Sequence, residues 1–184
     1  MALTPSTMIA LGTRAPSFTL PDTRGVMVSL PEPGTHAAVL VVFMCNHCPY
    51  VKHVAGELAR LGHALPERDV AMFGINSNDA EKYPADSPAA MVQEVAARGY
   101  VFPYLFDEDQ SVAQAYRAAC TPDFFLFDRD LKLVYRGELD DSRPGNGKPV
   151  TGAALRAAID AVLEGRPVSG KQVPSMGCNI KWKD

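Results

Sequence analysis

The stretch AAVLVVFM at residues 37–44, followed by CNHCP at residues 45–49, decides the fold. Residues 37–44 form an unbroken apolar run rich in β-branched side chains, which is typical of a strand buried on both faces. Beyond the second cysteine, apolar residues recur three and four positions apart with charged residues between them, which predicts an amphipathic helix over 49–64. The sequence therefore places a C-x-x-C motif where a buried strand passes into a helix.

The motif has the chemistry of a redox pair. The first turn of a helix presents unpaired N–H groups and the positive end of the helix dipole, and both favour thiolate, the form of cysteine that attacks disulfides and peroxides. The spacing lets the sulfurs of Cys45 and Cys48 meet across one helical turn, so that a disulfide can form and open. Asn46 carries no charge, His47 can bring a positive charge close to sulfur, and the fixed φ of Pro49 suits a helix start.

The composition limits which kinds of protein this chain can be. The 184 residues are 47% apolar and 21% charged, which is ordinary for a globular protein and enough for one domain with a sizeable core. A net charge of −3 gives no reason to expect a nucleic acid or an anionic membrane as partner. We expect no secretory signal, because the N-terminus lacks a basic region followed by an apolar core, and hence a cytoplasmic location. In a reducing compartment, a C-x-x-C is more often redox-active or metal-binding than structural.

The rest of the chain predicts alternating strands and helices. Residues 18–30 read as an N-terminal β-hairpin, and residues 1–15 as a leader that lies on the surface or adds an edge strand. Further strands are expected at 70–75, 101–106, 123–128 and 131–137, and further helices at 88–98, about 107–117 and 151–165, with Ser87 and Thr151 as N-caps. This order predicts an α/β fold with a central mixed sheet flanked by helices, parallel in the middle and closed by an antiparallel hairpin.

The C-x-x-C at a strand–helix junction, with Thr121-Pro122 before a late strand, resembles the thioredoxin-like superfamily. The detailed pattern is closest to its peroxiredoxin-like (AhpC/TSA-type) branch, as seen in FMCNHCPYVK at 43–52, GINSND at 74–79 and CTPDFFLF at 120–127. The resemblance covers roughly residues 12–165. It implies a single thioredoxin-like domain over 1–184, with 166–184 as a C-terminal tail.

The resemblance also implies roles for individual residues. Cys45 matches the exposed nucleophile of thioredoxins and Cys48 the buried resolving cysteine. Thr121-Pro122 matches the cis-proline motif beside the disulfide, where a loop would expose a backbone edge for a substrate peptide. His47 resembles the histidine of the more oxidising disulfide exchangers. The implied activity is that of a thiol–disulfide oxidoreductase acting on protein or small-molecule disulfides, without a cofactor and with another thiol system as reductant.

Two other functions stay open. Cys48-Pro49 also matches the peroxidatic Cys-Pro of peroxiredoxins, with Cys45 as resolver, although Cys45 occupies the position where that family has Thr or Ser. A non-enzymatic thioredoxin-like binding module would use the pair structurally, or for zinc with His47 or His53. Four-ligand structural zinc sites usually draw on two C-x-x-C pairs, and the chain has one.

Two further cysteines have open roles. Cys120 lies two residues before Pro122 and could approach the motif as an additional redox residue, or it could be a small buried apolar side chain. Cys178 lies in the tail. It could be a mobile resolving cysteine, or the tail could pack on the domain through Ile180 and Trp182.

Overall fold

A computed structural model describes residues 3–184. In chain order the strands are β1 (Leu3–Pro5), β2 (Thr19–Pro21), β3 (Met27–Ser29), β4 (Ala38–Phe43), β5 (Val70–Asn76), β6 (Tyr104–Phe106), β7 (Cys120–Thr121), β8 (Asp123–Asp128), β9 (Leu133–Tyr135) and β10 (Met176–Asn179). The helices are α1 (Pro49–Ala64), α2 (Pro88–Arg98), α3 (Ser111–Tyr116) and α4 (Ala153–Leu163). None of the helices in residues 3–184 is long and apolar enough to cross a bilayer.

Five strands form the central sheet in the order β6-β5-β4-β8-β9. β4 lies in the middle, parallel to β5 with Ala38 opposite Val70, and antiparallel to β8 with Phe43 opposite Asp123. All six residues of β4 are buried, as the apolar run predicts. The parallel middle and the antiparallel closing hairpin β8–β9 are both confirmed.

The alternation of side chains in β4 builds a separate core on each face of the sheet. Leu40 and Val42 pack into the core that includes residues of α1, α2 and α4, whereas Val41 and Phe43 pack into an aromatic core that includes Tyr116 of α3. The apolar stripe of α1 is buried as the spacing predicts. The strand–helix junction is thus anchored by a buried strand before it and by the buried face of α1 after it.

The helix starts follow the sequence signals at α2 but not at α4. The Ser87 hydroxyl accepts the N–H of Ala90, which confirms this N-cap. The expectation that Thr151 caps the last helix is wrong, because the N-cap is Gly152, with φ +67°. The buried carboxylate of Asp140 accepts the N–H groups of Thr151 and Gly152, each at 2.7 Å, and so fixes the chain entering α4.

Two small sheets lie outside the central one. β2 and β3 form the expected N-terminal hairpin, with Leu20 opposite Val28. The second sheet has the order β1-β10-β7, so that β1 adds an edge as expected and the C-terminal tail contributes the middle strand. Met1 and Ala2 of the expected leader lie outside the described residues. The tail is therefore part of the fold and packs beside the cis-proline segment.

Candidate active site

The C-x-x-C motif lies at the end of β4, where the sequence places it. Cys45 follows the strand by two residues, Cys48 is the N-cap of α1, and Pro49 is the first residue of that helix. A sulfur at an N-cap faces the unpaired N–H groups and the positive end of a 16-residue helix. This position favours a thiolate at Cys48 in particular.

Both cysteines of the motif are buried. The exposed fraction is 1% for Cys45 and 0% for Cys48. The expectation that Cys45 is exposed is therefore wrong for the reduced, closed structure. It fails because two neighbours that the thioredoxin comparison does not predict, the tail strand β10 and the loop that carries Asp86, enclose the motif together with the expected segment of Thr121.

Thr121-Pro122 is a cis peptide, as the resemblance implies, and it adjoins both sulfurs. The Thr121 hydroxyl lies 3.4 Å from Cys45 Sγ, and the Thr121 carbonyl oxygen lies 3.2 Å from Cys48 Sγ. The backbone edge of this segment is not free for a peptide, contrary to expectation, because β10 pairs with it and places Cys178 opposite Thr121. One residue thus contacts both cysteines of the motif and, through the strand pairing, the tail.

A third sulfur completes the cluster. Cys178 Sγ lies 2.8 Å from Cys48 Sγ, and Cys178 is only 4% exposed. The separation is roughly 0.8 Å longer than a covalent S–S bond. The tail packs through Ile180, which is buried, while Trp182 stays 40% exposed. Cys178 is therefore a fixed neighbour of the motif and not a mobile residue.

Cys120 is buried without reaching a sulfur. Its Sγ contacts the carbonyl oxygens of Pro122 at 3.7 Å and Ser175 at 4.0 Å. Burial and the nearby carboxylate of Asp123 raise its pKa far above the ordinary value of a thiol. These surroundings are those of a small buried apolar residue, the structural role that the sequence left open for it.

The three neighbouring sulfurs differ in how strongly the protein stabilises their thiolates. The contact with the Cys45 sulfur, with a smaller contribution from Cys178, outweighs burial and lowers the pKa of Cys48 to about 4. The pKa of Cys45 is raised by its contact with Cys48, by burial and by the charge of Asp86. Burial and the contact with Cys48 raise the pKa of Cys178 to about 12. Among these three sulfurs, the directions of the pKa shifts favour a thiolate at Cys48 over one at Cys45 or Cys178.

A buried carboxylate fixes the two residues between the cysteines. Asp86 ends the short turn Pro84–Asp86 and accepts the main-chain N–H of Asn46 at 2.7 Å and Nδ1 of His47 at 2.5 Å. Asn78 donates its side-chain N–H to the same carboxylate at 2.8 Å. Burial would raise the pKa of Asp86, but the hydrogen bonds and the charge of His47 together lower it. Asp86 therefore stays ionised and holds the motif loop in place.

Two aromatic residues complete this loop. The Tyr104 hydroxyl donates to the side-chain oxygen of Asn46 at 2.9 Å, and the ring of Tyr83 stacks on His47 with centroids 5.5 Å apart. Sequence reasoning missed Asp86 and Tyr104 altogether, and Asn78 entered it only as part of the family pattern at 74–79. No sequence signal could have found them, because a polar loop and a short strand contain many such residues.

One set of potential metal ligands overlaps the motif. The donor atoms of Cys45, His47 and Asp86 all lie within 4.8 Å of one another. The imidazole and the carboxylate already hydrogen-bond each other, so a metal ion would have to replace that bond. His53, the other histidine considered for zinc, instead contacts Ser142 at 3.1 Å. A cation would therefore use His47 and not His53.

Comparisons with known proteins identify the family and the fold of the chain. The model of the AhpC/TSA family matches residues 11–136. An uncharacterised conserved protein from Geobacillus kaustophilus is 57% identical over 100% of this chain and 97% of its own, with a TM-score of 0.96. A hypothetical protein from Sinorhizobium meliloti 1021 is 53% identical over 98% of each chain, with a TM-score of 0.95.

More distant structures share the fold. The thioredoxin domain of a thiol-disulfide oxidoreductase from Bacteroides vulgatus is 21% identical, with a TM-score of 0.58 over 70% of this chain and 88% of its own. At this identity the likeness concerns the fold, which is the expected thioredoxin-like α/β fold. No curated protein matches the chain significantly.

Proposed function

This chain belongs to the AhpC/TSA family, which gives it a redox role, and we propose that it is a thiol–disulfide oxidoreductase whose working pair is Cys45 and Cys48. The observation that carries the proposal is the position of Cys48 at the N-cap of α1, where the helix N-terminus favours a thiolate, with Cys45 three residues before it. The pKa of Cys48 is lowered and that of Cys45 is raised, which favours the thiolate at Cys48 and the thiol at Cys45. A reactive thiolate next to a protonated resolving thiol is the arrangement that opens and re-forms disulfides.

In this proposal Cys48 is the nucleophile and Cys45 is the resolving cysteine, which reverses the roles that the resemblance to thioredoxins implies. The Cys48 thiolate attacks one sulfur of a substrate disulfide, forms a mixed disulfide and expels the other substrate sulfur as a thiolate. Cys45 then gives its proton to a leaving thiolate and attacks Cys48 Sγ, which releases the second substrate thiol. The products are a Cys45–Cys48 disulfide, one substrate thiolate and one substrate thiol that carries the proton of Cys45, so that one disulfide is exchanged for another.

The residues around the pair support these steps. The Thr121 hydroxyl lowers the pKa of Cys45 and so assists its deprotonation in the second step. Asp86 acts against deprotonation of Cys45 while the site is at rest. His47, hydrogen-bonded to Asp86, and Asn46, held by Asp86 and Tyr104, position the loop between the two sulfurs. These are positioning residues, since none of them exchanges a bond.

The partners follow from this chemistry and stay predictions. The oxidised protein would be reduced by another thiol system, and its substrate would be a disulfide in a protein or a small molecule. No organic cofactor enters the reaction. A reducing, cytoplasmic location is the compartment in which we expect such a pair to work.

The test is a single exchange with oxidised glutathione. Reduced wild-type protein should release two glutathione molecules and acquire one intramolecular disulfide that includes Cys48, as shown by mass spectrometry after the free thiols are trapped. Cys48→Ser should abolish this release, whereas Cys120→Ser, a buried cysteine outside the cluster, should leave it unchanged. Equal glutathione release by wild type and Cys48→Ser would contradict the proposal.

A thiol peroxidase is a second candidate, favoured by the burial of both sulfurs under the tail. A small oxidant such as hydrogen peroxide reaches a buried thiolate more easily than a protein disulfide does. With Cys48 as peroxidatic residue, rapid peroxide consumption should be lost in Cys48→Ser and retained through the first turnover in Cys45→Ser. Stoichiometric zinc in freshly purified protein would instead favour a non-enzymatic binding module.

A further inference from the structure

The tail strand is built to approach the motif closely. β10 pairs antiparallel with β7, and Cys178 faces Thr121 in the register. A Cβ atom on the preceding residue, Gly177, would lie 2.0 Å from the Thr121 carbonyl oxygen. Glycine is therefore required at this position if the strand is to come near enough for Cys178 to touch Cys48.

Contacts on both sides of Cys178 hold the strand there. Before it, the Ser175 hydroxyl donates to the carbonyl oxygen of Pro122 at 2.7 Å. After it, the main-chain groups of Lys181 bond to the side chain of Asn78 at 2.9 Å and to the N–H of Asp79 at 2.8 Å. Asn78 also donates to Asp86, so the tail and the motif loop are anchored through one network.

We propose that Cys178 is a third catalytic cysteine of this site, which takes over the disulfide from Cys45 and Cys48. The inference rests on the proposed thiol redox function and extends it to a sulfur outside the C-x-x-C. Cys48 is the central sulfur, with Cys178 Sγ at 2.8 Å and Cys45 as the partner whose thiol stabilises its thiolate. The folded tail thus supplies an intramolecular disulfide partner to the pair.

The transfer needs no further oxidant or reductant. Cys178 loses its proton and attacks Cys48 Sγ of the Cys45–Cys48 disulfide. The bond between Cys45 and Cys48 breaks, a bond between Cys48 and Cys178 forms, and the Cys45 thiolate that leaves takes up the proton. The number of disulfides is unchanged, and Cys45 is regenerated as a thiol beside the Thr121 hydroxyl.

Cys120 serves as the internal comparison. It lies in the same small sheet and is also fully buried, yet within residues 3–184 the hydrogen bonds of its sulfur go to the carbonyl oxygens of Pro122 and Ser175 and to no other sulfur. Burial alone therefore predicts no redox role for Cys120. Contact with the Cys48 sulfur is what distinguishes Cys178.

The first test uses Cys45→Ser, which removes the resolving thiol of the motif. On reaction with oxidised glutathione, this variant should lose two hydrogen atoms without retaining glutathione, and the joined peptides should contain Cys48 and Cys178. A stable glutathione adduct on Cys48, with Cys178 still open to alkylation, would overturn the inference. The proposed function would fail separately if Cys178→Ser formed no Cys45–Cys48 disulfide.

The second test moves the strand without touching a sulfur. In the Cys45→Ser background, Gly177→Ala must push β10 away from Thr121, and a misplacement of about 1 Å should slow Cys48–Cys178 disulfide formation roughly 100-fold. The matched control is Gly170→Ala, because a Cβ atom there meets nothing within 4 Å. Equal rates in the two variants would contradict a disulfide transfer that depends on this strand pairing.

Discussion

Replacement of Asp86 by asparagine tests the loop that carries the candidate site. Oδ1 of Asp86 accepts the main-chain N–H of Asn46, and Oδ2 accepts from His47 Nδ1 and Asn78 Nδ2. In Asp86→Asn one oxygen becomes an NH₂ group, which cannot accept. The variant therefore keeps the contact with the main-chain N–H of Asn46. Its new NH₂ group, a donor, lies opposite the NH₂ group of Asn78, which is also a donor.

The size of the effect follows from the two hydrogen bonds that are lost. A hydrogen bond to a charged group contributes about 1.5–3 kcal/mol, and the one to His47 belongs at the lower end because that side chain is partly exposed. We expect the free energy of unfolding to fall by about 3–5 kcal/mol, which lowers Tm by about 10 °C for a domain of this size. The side chain of Asp86 is fully buried, so solvent screening does not reduce this value.

The pH dependence of this loss has a definite sign. The pKa of Asp86 is lower in the folded protein than the ordinary 3.8 of aspartate. Its stabilising contribution is therefore complete at neutral pH and is lost as the pH falls below about 4 and through the folded-state pKa. The difference between wild type and Asp86→Asn should shrink over that acid range.

Urea unfolding of the reduced proteins at pH 7 and at successively lower pH provides the assay. Asp160→Asn is the control, because its ion pair with Arg68 is half exposed and should contribute at most about 1 kcal/mol. A loss below about 1 kcal/mol for Asp86→Asn at pH 7, or a loss that grows as the pH falls below 4, would refute the reasoning.

Three further predictions concern the sulfurs and the buried charges. The thiolate absorbance of reduced protein near 240 nm should persist below pH 6 and disappear in Cys48→Ser, because the pKa of Cys48 is lowered to about 4; a wild-type midpoint near 8.5 would contradict this. Thr121→Val should slow alkylation of Cys45, because the hydroxyl that lowers the pKa of Cys45 is removed. An unchanged rate would contradict this role of the Thr121 hydroxyl. Arg136→Met should reduce the free energy of unfolding by about 3–5 kcal/mol in urea, because it leaves the buried Asp123 carboxylate without its ion-pair partner; a loss under 1 kcal/mol would argue against the pair.

The sequence predicts the elements that depend on local signals. The apolar run before Cys45 identifies β4, and Pro49 identifies the start of α1, because strand burial and helix initiation depend on residues that are close together in the sequence. Likewise the predicted helix 88–98 with Ser87 as its N-cap matches α2. The position of the C-x-x-C at the strand–helix junction is a direct consequence of these signals.

The environment of the motif could not be predicted from local signals. β10 is a short strand with glycine and asparagine, and its pairing with Thr121 joins segments far apart in the chain. Asp86 lies in a polar loop with several carboxylates, and the sequence does not indicate which of them contacts the motif. These two segments enclose the motif, and they are part of the reason why we propose roles for Cys45 and Cys48 opposite to those inferred from thioredoxins.

The most direct test of the central claim is the reduction potential of the sulfur cluster, measured by equilibration with glutathione mixtures and disulfide mapping after trapping. A protein that stabilises the Cys48 thiolate stabilises its reduced form, and this raises the potential. The account predicts one disulfide per molecule with Cys120 always free, and a potential nearer about −180 mV than the −270 mV or so of thioredoxin. Four free thiols at every glutathione ratio would contradict it.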